Sequence, residues 1–229
     1  MKSLFASIAD HIGPQGRCIA IVGSGGKTSL MVGLASHYAL QGESVLLTTT
    51  TKLRKPTSTD YRCDHYYNTS SAILASRPER YERTFYALEG EHKALAPPME
   101  ELRQLCERFS VTLVEADGAR GKDLKIHSER DPVIPPFATA TIALLSLSAL
   151  GKRAGDVCFG CEGDEAIVDL PYLERYITHP DGPLKGVTGR YILLCNQGEG
   201  VDQTVIDQLK RTCSHLPIIV GSVLRDEIY

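Results

Sequence analysis

The 229-residue chain predicts an α/β fold, a mostly parallel sheet flanked by helices. Three observations predict it. Short apolar runs recur at residues 17–22, 45–50, 111–115, 141–147, 191–195 and 217–220. Segments with helical spacing lie between many of them, and polar turns follow several of the runs. Strands covered on both faces read as continuous apolar stretches, and parallel neighbours need a crossover that is usually a helix.

Each element has its own signal. Residues 17–22 carry Cys18-Ile19-Ala20-Ile21-Val22, a buried strand. Residues 27–40 place Leu30, Met31, Leu34, Ala35 and Tyr38 at helical spacing, and Gln41-Gly42-Glu43 stops that helix. Residues 45–50 are apolar and β-branched, as strands are. Residues 52–98 are rich in Tyr, Ser, Arg and Pro with weak strand signals. Surface loops and short elements are expected there, as an insertion in the sheet order of a single domain spanning 1–229. Residues 99–109 read as a helix and 111–115 as a strand. A polar, proline-containing excursion follows at 118–137, then a buried strand at 141–147. Residues 164–178 read as a helix, 191–195 as a strand, 201–215 as a helix and 217–220 as a last strand.

Composition narrows the function. A formal net charge of -3 leaves no global basic field to gather nucleic acid or anionic lipid, so neither is an expected partner. No stretch approaches the roughly 18 apolar residues that span a bilayer. Residues 1–12 include Asp10 and His11 and lack the long apolar run of a signal peptide. Seven scattered cysteines, several within apolar runs, suit reduced core thiols and a cytoplasmic location.

The strongest chemical signal is Gly23-Ser24-Gly25-Gly26-Lys27-Thr28-Ser29, between a strand and a helix. Glycine permits positive φ and lets backbone amides approach a phosphate. The free N–H groups and dipole of the new helix favour negative charge at that point. Lys27 would reach the β- and γ-phosphates, the Thr28 hydroxyl would ligate Mg²⁺, and Ser29 would add a hydroxyl at the α-phosphate. The usual glycine five residues before Gly26 is replaced by Ile21, so the loop is a short Gly-x-x-Gly-Lys-Thr form. An ordinary glycine-rich turn with a surface lysine would not need a strand, Gly-Lys-Thr and a helix to coincide.

Other candidates fall after the strands, where ligands of open α/β sheets bind. Val111-Thr112-Leu113-Val114-Glu115-Ala116-Asp117-Gly118 ends in two carboxylates and a glycine. One carboxylate would hold Mg²⁺ through its water shell or orient the attacking water, and Gly118 would sense the γ-phosphate. Which of the two faces the metal is open at this point. Thr48-Thr49-Thr50-Thr51-Lys52-Leu53-Arg54 offers Thr50 for the Mg²⁺ shell and Lys52 or Arg54 for transition-state charge. Arg120-Gly121-Lys122-Asp123-Leu124-Lys125-Ile126-His127 is basic and can hold a second anionic ligand or partner. Asn196, in Cys195-Asn196-Gln197-Gly198-Glu199, is a candidate for the base, with adenine and guanine both open. Cys158-Phe159-Gly160-Cys161 has no second cysteine pair at metal-ligand spacing.

The motif order Val-Gly-Ser-Gly-Gly-Lys-Thr-Ser, Leu-Thr-Thr-Thr-Thr-Lys, Val-Glu-Ala-Asp-Gly-Ala-Arg, then Leu-Lys with a later Asp-Pro-Val-Ile-Pro, resembles the YqeC-like selenium cofactor biosynthesis proteins. These are accessory proteins of selenium-dependent molybdenum hydroxylases. The resemblance runs from about residue 18 to 135, with a weaker echo at Leu194-Cys195-Asn196-Gln197. It implies a fold of the P-loop nucleoside triphosphate hydrolase type, a nucleotide-driven maturation role, and a molybdenum hydroxylase or its cofactor as client. By motif, Lys27, Thr28, Glu115, Asp117 and Lys125 carry over.

The expectation is therefore Mg²⁺-dependent binding and hydrolysis of ATP or GTP, with Lys27, Glu115 and Asp117 in the chemistry. The metal would fall to Thr28, Thr50 and Asp117. The alternatives are a nucleotide-gated cofactor chaperone with little hydrolysis, or a small-molecule kinase or ligase.

Overall fold

The computed structural model describes residues 3–15, 17–57 and 59–229. Met1 and Lys2, which open both the expected domain and the segment read as no signal peptide, lie outside the described residues, as do Gly16 and Ser58. In chain order the elements are α1 (Leu4–Ile12), β1 (Cys18–Gly23), α2 (Lys27–Leu40), β2 (Val45–Thr49), β3 (Leu53–Arg54), β4 (His65–Tyr67), α3 (Ser70–Ala75), β5 (Arg83–Tyr86), β6 (Lys93–Ala94), α4 (Met99–Arg108), β7 (Val111–Glu115), β8 (Leu124–Lys125), β9 (Ala140–Ser146), α5 (Ala154–Val157), β10 (Cys158–Phe159), α6 (Leu170–Thr178), β11 (Arg190–Asn196), α7 (Gln203–Thr212), β12 (Ile218–Ser222) and β13 (Glu227–Ile228).

Among the described residues, nine strands form one sheet in the order β13-β12-β11-β9-β1-β7-β2-β5-β4. Its neighbours run parallel except for β12 and β13. Two short ribbons, β3–β6 and β8–β10, stand outside it. The fold is therefore α/β with a large, mostly parallel sheet flanked by helices, as in P-loop nucleoside triphosphatases.

Side chains of β1 alternate between two cores, which explains its continuous apolar run. Ile19 and Ile21 pack with Leu30, Met31 and Leu34 of α2 and with Leu4 and Ile8 of α1. Ala20 and Val22 pack on the opposite face with Leu173 and Ile177 of α6 and Ile206 and Leu209 of α7. Both faces of the sheet are thus covered, as parallel sheets require. No helix among the described residues is long and apolar enough to cross a membrane.

The topology places the site. β1 lies between β7 on one side and β9 on the other, where the crossovers change flank. Ligands of such sheets bind in the crevice at that switch point, outside the carboxyl ends of the strands. Ile21 is in register with Glu115, Thr49 with Glu115, Gly23 with Leu144, and Asn196 with Ser146. The ends of β1, β2, β7, β9 and β11 therefore share one edge of the molecule.

Several boundaries differ from the sequence expectation. The helix expected over 164–178 begins only at Leu170, because the Asp169 carboxylate accepts from Tyr172 N at 2.8 Å and caps it there. The strand expected to be last, at 217–220, is followed by β13, which pairs back antiparallel onto β12. Helix α1 was not expected. Ser3 caps it by accepting from Ala6 N, and Asp226 accepts from Ser3 Oγ at 2.9 Å and from Phe5 N at 3.0 Å. Residues 52–98 contain β4 and β5, which extend the main sheet beyond β2, as well as β3 and β6. Cys158 and Cys161, expected as thiols, are joined in a disulfide.

Candidate nucleotide site

The turn after β1 is closed so tightly that only glycine fits at two of its positions. Gly23 has φ +88°, and a Cβ there would lie 2.1 Å from the Leu144 carbonyl oxygen. Gly25 also has φ +88°, and a Cβ would meet the Ser146 side chain at 2.4 Å. The floor of the turn uses up two amides: Gly23 N donates to Asp117 Oδ2 at 2.9 Å, and Ser24 N to Leu144 O at 2.9 Å. The Ser24 hydroxyl is buried with no hydrogen-bond partner, so Ser24 faces inward rather than toward the cleft. Helix α2 begins at Lys27, and the amides of its first turn have no intrahelical acceptors. Gly25, Gly26, Lys27, Thr28 and Ser29 line a cleft of about 540 Å³.

Lys27 is buried. Its Nζ donates to the Gly23 carbonyl and sits 3.0 Å from Asp117 Oδ1. Thr28 and Ser29 are exposed on the cleft side. Thr28 shares an adjoining hollow with Tyr61, a buried residue stacked on Phe85 with ring centroids 4.3 Å apart.

The two carboxylates after β7 are separated by the structure. Glu115 is buried yet lines the cleft, and also lines an adjoining hollow with Thr28, Arg54, Asp60 and Tyr61. Its Oε2 has no hydrogen-bond partner. Burial pushes its pKa above the usual carboxylate range, with Asp117 adding to the rise and Lys27 opposing it.

Asp117 lies beneath the loop and does not reach the cleft lining. Besides Gly23 N and Lys27, its Oδ2 receives His127 Nε2 at 2.7 Å and lies 3.3 Å from Lys125 Nζ. Burial would raise its pKa. The hydrogen bond from His127 and the charges of Lys27, Lys125 and His127 instead hold it well below the usual carboxylate range. His127 Nδ1 is 2.9 Å from the Gly182 carbonyl oxygen. Both ring nitrogens thus face oxygen atoms, which fixes the ring between Asp117 and the Gly182 carbonyl. Lys125 also pairs with Asp131 and donates to Gly118 O at 2.7 Å. The Tyr176 hydroxyl spans the backbone of Lys125, accepting from its N and donating to its O, each at 3.0 Å.

Two further expected residues are committed elsewhere. The Thr50 hydroxyl donates to Val133 O at 2.6 Å and is absent from the cleft lining, so Thr50 is not placed to complete a metal shell. Asn196 Nδ2 donates to Gly25 O at 2.7 Å and its Oδ1 accepts from Val223 N at 2.9 Å. Both ends of the amide are engaged, and Asn196 props the glycine-rich loop, so its amide is not free for a base. Beside it, Glu199 lines a separate hollow with Asp123, Ser148 and Gln197, and its Oε2 is buried without a partner. Gly118 lines the cleft.

Sequence reading did not single out Tyr61, Lys93 or Phe159, which reach the loop or the cleft from β3–β10 country far along the chain. It met His127 only as part of a basic run. The alternation Lys125-x-His127, two residues apart on an extended segment, was the available signal that both point the same way.

The family model described as YqeC protein matches residues 19–162. Over 206 residues the chain is 32% identical to "Uncharacterized protein YqeC" of Escherichia coli (strain K12), covering 82% of this chain and 79% of that protein. The matched span holds the glycine-rich loop, Glu115, Asp117, Lys125 and His127. The chain belongs to the YqeC family.

Proposed function

We propose that the cleft binds a nucleoside triphosphate with Mg²⁺ and hydrolyses it. The observation that carries this is the orphaned, buried Glu115 Oε2 on a cleft shared with Lys27, the Thr28 hydroxyl and the first-turn amides of α2. A buried carboxylate oxygen short of donors calls for a cation, and amides at a helix start call for an anion.

The residues fit magnesium. Hard oxygen donors suit it, and it is commonly held by one or two protein groups plus substrate phosphates. Thr28 and Glu115 would supply the protein oxygens. No cluster of three or more His, Cys, Asp or Glu among the described residues makes an all-protein site. When bound, the ion would neutralise charge on the phosphates and polarise them. Asp117 and Thr50 are left out of this shell, for the contacts given above.

The chain's own groups then divide the work. Loop amides and Lys27 bind the β- and γ-phosphates, and Lys27 exchanges part of its hold on Gly23 O and Asp117 for phosphate oxygens. Asp117 keeps Gly23 in place, which fixes the turn. Glu115 orients the attacking water. Gly118, tied through its carbonyl to Lys125, reports the γ-phosphate to the buried cluster. The base end belongs beside Gln197 and Glu199, where an unpartnered carboxylate oxygen would accept from a base N–H.

The sequence resemblance extends the proposal to a maturation role, with a molybdenum hydroxylase or its cofactor as client. Calorimetric titration of the ligand-free protein with ATP and GTP, with and without Mg²⁺, tests the nucleotide reading, and phosphate release tests turnover. No heat with either triphosphate at saturating Mg²⁺ ends it. Client affinity measured with diphosphate and with a non-hydrolysable triphosphate tests the role. Equal affinities remove any nucleotide gating.

A further inference from the structure

The cleft holds more positive charge than a magnesium-bound triphosphate uses. Beyond Lys27, it is lined by Lys52, Arg54, Lys93, Arg120 and Lys122, and Glu115 is the carboxylate facing them. These cations come from separate parts of the chain. Arg54 and Lys93 stand opposite each other on the β3–β6 ribbon, and Lys52 precedes it. Arg120 and Lys122 come from the turn after β7. Arg54 is offset by Asp60 at 2.9 Å, and Lys122 donates to Asp156 O. Lys52, Lys93 and Arg120 have no carboxylate within ion-pair distance among the described residues.

Arg120 is held in place. It has φ +49° and is followed by Gly121 at φ +75°, and its guanidinium lies over the Phe159 ring, 5.3 Å from the centroid. A planar guanidinium fixed against an aromatic ring is suited to two-pronged binding of a phosphate or carboxylate. Like charges gathered in a cleft repel one another and focus a field that draws in anions.

We infer that the outer part of the cleft binds a second anionic ligand beside the triphosphate, a small phosphate monoester held by Arg120, Lys93 and Lys52. This rests on the nucleotide reading, since it divides one cleft between two occupants. The nucleotide takes the loop amides, Lys27, Thr28 and Glu115. The monoester takes the three unpaired cations.

The test loads the full chain with Mg²⁺ and a non-hydrolysable triphosphate, then titrates phenyl phosphate by calorimetry, with phenol as the uncharged control. The expected result is uptake of phenyl phosphate but not phenol. Arg120→Ala and Lys93→Ala, both at exposed positions, should each weaken it about tenfold, the loss of one charge-assisted contact, with nucleotide affinity kept. No uptake by the loaded chain overturns the inference. So does a pair of variants that weaken the nucleotide as much as the probe, because the cations then serve the triphosphate. If the triphosphate itself does not bind, the nucleotide reading fails separately. The same titration on the free chain and on Arg120→Ala then decides whether the cationic wall takes a phosphate monoester at all.

Discussion

Glu115 and Asp117 lie two residues apart at the end of one strand, and the fold treats them in opposite ways. Both are buried, and burial alone would raise both pKa values. Asp117 meets Gly23 N, Lys125 and His127 through Oδ2 and the Lys27 charge through Oδ1, which has no other partner, and its pKa is held well below the usual carboxylate range. Glu115 meets the cleft, where its Oε2 has no donor, and its pKa rises. A carboxylate that fixes structure is given its partners by the protein. Under the proposed function, the carboxylate left short of partners is the one whose shell a ligand would complete.

The largest expected effect tests the satisfied half of this comparison. Asp117→Ala takes the shared carboxylate from Lys27, Lys125 and His127 and leaves Lys125 only its pair with Asp131. Breaking such a buried pair costs about 3–5 kcal/mol, read by urea or thermal unfolding. A loss under about 1 kcal/mol, the scale of exposed pairs, would mean the cluster carries no structural weight. The sign with pH follows. Because the folded pKa of Asp117 is depressed, its contribution is present above the unfolded value of about 3.9 and disappears as pH falls through the folded value.

Lys27→Ala tests the link between the two halves, since Lys27 touches Asp117 and lines the cleft. Loss of a hydrogen bond to a charged group, about 1.5–3 kcal/mol, should weaken nucleotide binding roughly 100-fold. Unchanged affinity and turnover would falsify the assignment of the loop.

Glu115→Gln tests the unsatisfied half, and here stability and function should part. The folded pKa of Glu115 is raised, so its protonated form favours folding at low pH, and that contribution is lost as pH rises through the folded value. At neutral pH the amide is therefore expected to leave stability unchanged or slightly higher. Mg²⁺ enhancement of nucleotide binding should fall about tenfold, the scale of one interaction with a charged group. In the parent protein that enhancement should grow with pH above the usual carboxylate range, and in Glu115→Gln it should be flat. A variant that lost stability while keeping its Mg²⁺ response would reverse the comparison.

The smallest effect concerns Tyr61, which shares the hollow beside Glu115 with Thr28. Tyr61→Phe removes one hydroxyl from the wall of that hollow. Stability and Mg²⁺-nucleotide binding are both expected to change by less than about 1 kcal/mol, the scale of one neutral hydrogen bond, as read by thermal unfolding and calorimetry. Binding weakened by more than that would show instead that Tyr61 contacts the ligand.

Much of this was legible in the sequence, and unevenly so. Strand, turn and helix around Gly23 to Ser29 could be read directly, because local apolar spacing and glycine-lysine-threonine chemistry are properties of neighbouring residues. Helix α1 was missed: its cap and anchor depend on Asp226, more than two hundred residues away in the chain. Asn196 was read as a candidate for the base, yet its amide spans Gly25 and Val223, partners no local pattern announces.

By itself the sequence determined the α/β class, the glycine-rich turn between a strand and a helix, and the presence of two carboxylates at one strand end, since each follows from short-range spacing and residue chemistry. Only the tertiary structure decided which carboxylate faces the cleft, which hydroxyl is free, and which cations go unpaired. Those outcomes turn on burial and on donors brought from Lys125, His127 and the Gly182 carbonyl, distances that chain order does not encode.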